Sequence, residues 1–90
     1  MATYRDALEL VIRREFGVYG AEKIIDFAAK MGITVGRNGN IISTPPGKDE
    51  RELLVEFMNR MRDEFGEVSV ISCRVALTNF FMKNGLENPL

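Results

Sequence analysis

Residues 33–44 read Ile33-Thr34-Val35-Gly36-Arg37-Asn38-Gly39-Asn40-Ile41-Ile42-Ser43-Thr44, and this stretch makes an otherwise helical chain a mixed one. Two β-prone runs flank Asn38-Gly39, and both of these residue types tolerate the positive φ that a two-residue type I′ turn demands. The stretch therefore predicts an antiparallel β-hairpin with Val35 opposite Ile42 and Gly36 opposite Ile41. Side chains alternate along a strand, so this register puts Ile33, Val35 and Ile42 on one face and leaves Ile41 on the other. The inner face has helices to pack on. Ile41 has no obvious partner within the chain.

Upstream, the hairpin is entered from a helix. Ala21, Ile24, Ile25, Ala28 and Met31 fall on one side of helix two, which Gly32 ends. Helix one is expected to start at a Thr3 cap and run to Phe16, with Gly17 closing it and Val18-Tyr19-Gly20 as the connection. Its apolar stripe is Tyr4, Leu8, Val11, Ile12 and Phe16. Arg5, Glu9, Arg13 and Glu15 are assigned to water, with Glu9 and Arg13 spaced for a helical ion pair.

Downstream, Pro45-Pro46-Gly47-Lys48 cannot continue a central strand and marks the exit from the hairpin. Asp49 with Glu52 three residues on resembles a capping box, and helix three then buries Leu53, Leu54, Phe57, Met58, Met61 and Phe65 before Gly66 stops it. Helix four begins near Ser69 and runs to Gly85, with Leu86 folding back on its end. Its polar side, Ser72, Arg74, Thr78 and Asn79, is too narrow for a surface helix, so it is expected to be the central, most buried helix, or one half buried by a partner.

Glu15-Phe16-Gly17 and Glu64-Phe65-Gly66 close the two long amphipathic runs alike. Superposing them pairs Tyr4 with Leu53, Leu8 with Phe57, Ile12 with Met61 and Phe16 with Phe65, all apolar at a helical spacing. The fold class that follows is α+β. Two helical hairpins, four helices in all, form one domain over residues 1–90 with a β-hairpin inserted between helices two and three, in the order ααββαα.

Composition narrows the function more by exclusion than by assignment. The chain is 46% hydrophobic and 28% charged with a formal charge of −1, which suits a globular domain and argues against a dedicated nucleic-acid or polybasic membrane binder. No apolar run approaches the ~20 residues of a membrane span. The N-terminal residues lack a signal layout, and the single cysteine, Cys73, fits a reducing compartment, so the expected location is cytoplasmic. With no histidine there is no imidazole base, no histidine-dependent triad and no histidine metal ligand.

The remaining polar clusters have ordinary explanations. Thr44-Pro45-Pro46-Gly47-Lys48 joins a strand to a helix but lacks the glycine spacing and the following Ser or Thr of a phosphate loop. Glu50, Glu52 and Glu56 lie among Arg51 and Arg60 as a solvated face, and Cys73 reads as an inert core thiol. Met31, Met58, Met61 and Met82, four of the five methionines, sit where core filler is expected. No enzyme activity, cofactor or metal is expected.

The favoured reading is a small non-catalytic interaction or regulatory module that self-associates. Neither hairpin strand carries a lysine to block edge pairing, so hairpins from two chains are expected to join in a homodimer, with Val35, Arg37, Ile41 and Ile42 as interaction residues and the underside of helix four as a further contact. An unidentified protein partner at the same edge is the variant of this reading. The competing class is a DNA-binding transcriptional regulator using helix two and the hairpin tip, although Glu22, Lys23, Asp26 and Lys30 would neutralise few phosphates. A small-molecule-binding or enzymatic domain stands third.

Overall fold

Thr3 starts the first helix by a reciprocal cap: its side-chain oxygen accepts from the Asp6 N–H at 3.2 Å, and Asp6 Oδ2 accepts from the Thr3 N–H at 2.9 Å. In the computed structural model, which describes residues 1–90, the chain then runs α1 (Tyr4–Tyr19), α2 (Ala21–Ala29), β1 (Thr34–Val35), β2 (Ile41–Ser43), α3 (Glu50–Phe65) and α4 (Glu67–Asn84). The architecture is α+β and mostly helical, two helical hairpins with a two-stranded antiparallel hairpin between them.

Both helical hairpins turn at one glycine. Gly20 joins α1 to α2 at φ 91°, ψ 150°, and Gly66 joins α3 to α4 at φ 97°, ψ 166°. Only glycine occupies this region without strain. Helix one therefore does not close at Gly17, as its Glu-Phe-Gly ending suggested, but continues through it to Tyr19. The fourth helix likewise starts directly after its corner, at Glu67 rather than near Ser69. Asp49 does occupy the cap position of α3, yet its side chain makes no capping hydrogen bond.

The two outer helix ends use a different device. The Ile33 N–H donates to Ala28 O and the Leu86 N–H to Phe81 O, both at 3.0 Å, so each chain end wraps back over the last turn with an apolar residue tucked under it. Tyr4 Oη then donates to Glu87 O at 2.7 Å and ties the C-terminal tail to the start of α1.

Twenty apolar residues drawn from all four helices, both strands and the α2–β1 connection form one continuous core. Phe57, Leu54, Ile12, Leu77 and Phe81 are at its centre, and each side chain of this size contributes roughly 1.5–3 kcal/mol through removal from water. An aromatic group seals the α1–α2 and α3–α4 corners. Tyr19 stacks on Phe65 at 4.5 Å, Phe27 meets Phe65 at 5.3 Å and Phe57 edge-on at 5.2 Å.

The β-hairpin departs from its expected register, and the cause is one residue in the loop. Gly39 N–H donates to Gly36 O at 3.0 Å and Gly36 N–H to Asn40 O at 2.9 Å, with Gly39 the only loop residue at positive φ, 84°. The loop is thus Arg37-Asn38-Gly39, a turn followed by a left-handed glycine, rather than the two-residue Asn-Gly turn. Val35 now pairs with Ile41, and Thr34 with Ser43 across a bulge at Ile42. A slip of one residue exchanges the faces of the strand. Ile41 is buried at 7% exposure and Ile42 is the outward residue at 66%, the reverse of the expected arrangement.

Candidate functional site

The interaction residues expected from the hairpin are divided by this register. Val35 and Ile41 are core, while Arg37 and Ile42 remain at the surface. Arg37 reaches back to Glu22 of α2 at 3.7 Å.

The edge of β2 is also occupied from within. Arg5, Glu9 and Arg13 recur every four residues along α1 and so form one polar ridge beside it. Glu9 Oε2 accepts from the Ile41 N–H at 2.7 Å, Arg5 donates to Ile41 O at 3.2 Å, and Arg13 Nε donates to Asn38 O at 3.3 Å. Arg13 also donates to Asn40 Oδ1 and forms the expected ion pair with Glu9 at 3.8 Å. These side chains take the backbone groups of Ile41 that an added strand would need. Their spacing was visible in the sequence as a solvent-facing stripe; its use as a clamp required knowing where the hairpin lies.

A second unexpected feature is a buried polar pair. Glu15, assigned to water by its charge, is 2% exposed on the core side of α1. Continuation of the helix beyond Gly17 keeps it on the buried stripe with Leu8, Val11 and Ile12. The Cys73 Sγ donates to Glu15 Oε1 at 3.0 Å, and Glu15 Oε2 has no protein partner. Burial, reinforced by the facing carboxylate, pushes the Cys73 thiol up to about 12, so the reactive thiolate is strongly disfavoured at neutral pH. A carboxylate beside a protonated thiol is not an activated nucleophile.

The third feature is the outer face of α4. Val70, Cys73, Leu77 and Phe81 point into the core, and the opposite side carries Val68, Ile71, Val75 and Met82, all exposed. Val68, Val75 and Met82 are 83%, 60% and 78% exposed. Their spacing of three, four and seven residues makes them neighbours along a single stripe, interrupted only by Thr78. Ser72 and Asn79 flank the stripe. A shallow groove lined by Arg74, Thr78, Asn88 and Leu90 runs beside it, because the tethered tail lies against this helix.

Several polar groups elsewhere on the surface are internally paired. Lys30 meets Glu64 at 3.8 Å above a groove between α2 and α3, and Lys23 lies 5.5 Å over the Tyr19 ring and 5.4 Å over Phe65. With Arg37 held by Glu22, the cations that a nucleic-acid contact through α2 and the hairpin tip would use already have partners. Lys48 donates to Glu56 at 2.8 Å and holds that carboxyl below its ordinary value. No three His, Cys, Asp or Glu side chains converge as a metal-binding set, and no helix is long and apolar enough to cross a membrane. No protein-family model, curated protein or solved structure matches the chain.

Proposed function

We propose that the chain is a small non-catalytic interaction module that self-associates, and that its contact surface is the outer face of α4. The observation that carries this reading is the stripe of Val68, Ile71, Val75 and Met82, left open on a helix whose other side is fully built into the core. All four side chains are more than half exposed, and a standard interface takes ~800 Å² from each partner, more than these four residues supply alone. Ser72, Thr78, Asn79 and the stem of Arg74 border the stripe and supply further area. A second copy supplies the same stripe, so the surface is self-complementary about a two-fold axis. Covering it removes apolar area that a domain of this size gains stability by burying.

The hairpin is the weaker contact in this reading, since α1 already occupies the open edge of β2 at Ile41. The single reduced thiol is compatible with a reducing compartment, and the module is assigned to the cytoplasm on that basis. Light scattering at about 50 μM is the test, a concentration at which a micromolar dimer is mostly formed. The wild type is expected as a dimer, and Val75→Lys as a monomer with unchanged helical circular dichroism. A wild type that stays monomeric at that concentration overturns the reading.

A further inference from the structure

We infer that Asn38 is a site of spontaneous deamidation, and that Arg13 is the side chain that guards it. Two asparagines of the chain are followed by glycine, in Arg37-Asn38-Gly39 at the tip of the β-hairpin and in Lys83-Asn84-Gly85 at the end of α4. Glycine has no Cβ to keep its nitrogen away from the preceding side chain, and a basic residue comes before both asparagines, so the sequence offers the two positions equally. The structure separates them.

At Asn84 both reacting groups are held. The nitrogen that would leave, Nδ2, donates to Phe80 O at 2.8 Å, and the nitrogen that would attack, Gly85 N–H, donates to Phe81 O. Leu86 N–H shares that carbonyl at 3.0 Å and pins the chain end, so ring closure there requires the last turn of α4 to unwind. At Asn38 the side chain is exposed and Nδ2 has no protein partner, while Oδ1 accepts from the Asn40 N–H at 3.0 Å. That bond draws electron density from Cγ and is in place for the negative charge that the oxygen gains under attack. The attacking Gly39 N–H is the one group held back. It donates to Gly36 O at 3.0 Å, and Gly39 is buried beneath Arg13, so closely that a Cβ placed on it would stand 2.5 Å from Arg13 Cγ. Arg13 fixes the same loop by donating from Nε to Asn38 O and from its guanidinium to Asn40 Oδ1.

The step needs only water. When the loop opens, Gly39 N bonds to Asn38 Cγ and gives its proton to solvent, the Cγ–Nδ2 bond breaks, and Nδ2 takes up a proton and leaves as ammonia. Water then opens the cyclic imide, at Cγ to give aspartate or at the backbone carbonyl carbon to give isoaspartate, with no change of oxidation state. Either product adds a negative charge, and isoaspartate also reroutes the backbone through an extra methylene beneath Arg13. The modification thus acts on the clamp that holds α1 to the edge of β2.

The test incubates the full chain at physiological temperature in mildly alkaline buffer, folded and in urea, and follows both asparagines by tandem mass spectrometry of proteolytic peptides. In urea the two are expected to convert at similar rates. In the folded protein Asn38 is expected to convert about fivefold faster than Asn84, the factor for one further hydrogen bond of ordinary net strength to be broken at the helix end. Arg13→Ala, verified as folded by circular dichroism, is expected to speed Asn38 about fivefold on the same scale and to leave Asn84 unchanged. Folded protein in which Asn84 converts as fast as Asn38, or in which neither converts while the unfolded chain is consumed, overturns the site. An Arg13→Ala protein in which Asn38 is no faster, or in which both asparagines speed up alike, overturns the guarding role of Arg13.

Discussion

The first and second helical hairpins are built on one frame and carry different contents. A shift of 46 residues, Tyr4 to Glu50, aligns two helices of 16 residues each, the cap residues Thr3 and Asp49, and the corner glycines Gly20 and Gly66. The same shift carries the buried set Ala7, Leu8, Val11, Ile12 and Glu15 onto Leu53, Leu54, Phe57, Met58 and Met61 without a miss. It also places Ile24 on Val70 and Phe27 on Cys73. The obvious echo in the sequence, Glu-Phe-Gly with Glu-Phe-Gly, lies 49 residues apart and is not this alignment. It is displaced by nearly one helical turn, which preserves an approximate apolar face while misplacing the corner.

Where the hairpins differ, the molecule differs in what it can do. The second helix of the first hairpin is short, 9 residues, and hands the chain to a β-hairpin that folds back onto α1. The second helix of the other hairpin runs 18 residues with nothing covering its outer side. The polar pair Glu15 and Cys73 stands where the alignment elsewhere has Met61 and Phe27, so the first hairpin's inner helix alone carries a buried acid.

Phenylalanine truncation is the strongest way to break the comparison. Phe65→Ala removes the ring on which Tyr19 stacks and Phe27 leans, and is expected to cost about 2–4 kcal/mol in urea denaturation. Phe16, its mate in the Glu-Phe-Gly echo, belongs to no such aromatic group and is expected to cost about 1–2 kcal/mol. Equal losses at the two sites would favour the 49-residue echo over the structural frame.

The two glycines of the echo separate the alternatives by sign. Gly66→Ala forces a Cβ into φ 97° and is expected to destabilise by about 1–3 kcal/mol. Gly17 lies inside α1 with open space where a Cβ would go, so Gly17→Ala is expected to stabilise by about 0.5–1 kcal/mol. A destabilised Gly17→Ala protein would mean that the first helix closes there after all.

A pH dependence follows from the Cys73–Glu15 pair, which joins the two hairpins. Folding holds the Cys73 proton up to about pH 12, whereas the unfolded thiol releases it near its ordinary value of about 8.5. Between those limits the unfolded chain binds fewer protons, so stability falls as pH rises, by about 1 kcal/mol per pH unit from this group. The Cys73→Ala protein is expected to lack that part of the slope in alkaline urea titrations. Phe27, the counterpart, has nothing to ionise.

Much of the frame was legible because it follows from local chemistry. Thr3 caps, Gly32 and Gly85 terminate, Leu86 folds back, and the apolar spacing of helix three predicts the five residues it buries, with Phe65 only partly buried at its end, since each depends on neighbours within a turn or two. The narrow polar side of helix four left open a central, buried helix or one half covered by a partner, and in the structure its outer side is exposed. Ile41 and Ile42 were exchanged because Asn38-Gly39 is compatible with a loop of two or three residues, and the choice moves every side chain of the strand to the other face. The three-residue loop brings Asn38 and Asn40 against Arg13 and exposes the Ile41 backbone to Glu9 and Arg5, contacts between segments 25 to 36 residues apart. Glu15 is a conflict of the same origin: its chemistry says water and its helical phase says core, and only the packing of α1 on α4, which supplies Cys73 as a hydrogen-bond donor, decides for the core. Periodicity and caps act within one element and are written in the sequence by themselves. Register between strands and the fate of a charge on an apolar stripe depend on what the tertiary structure brings beside them.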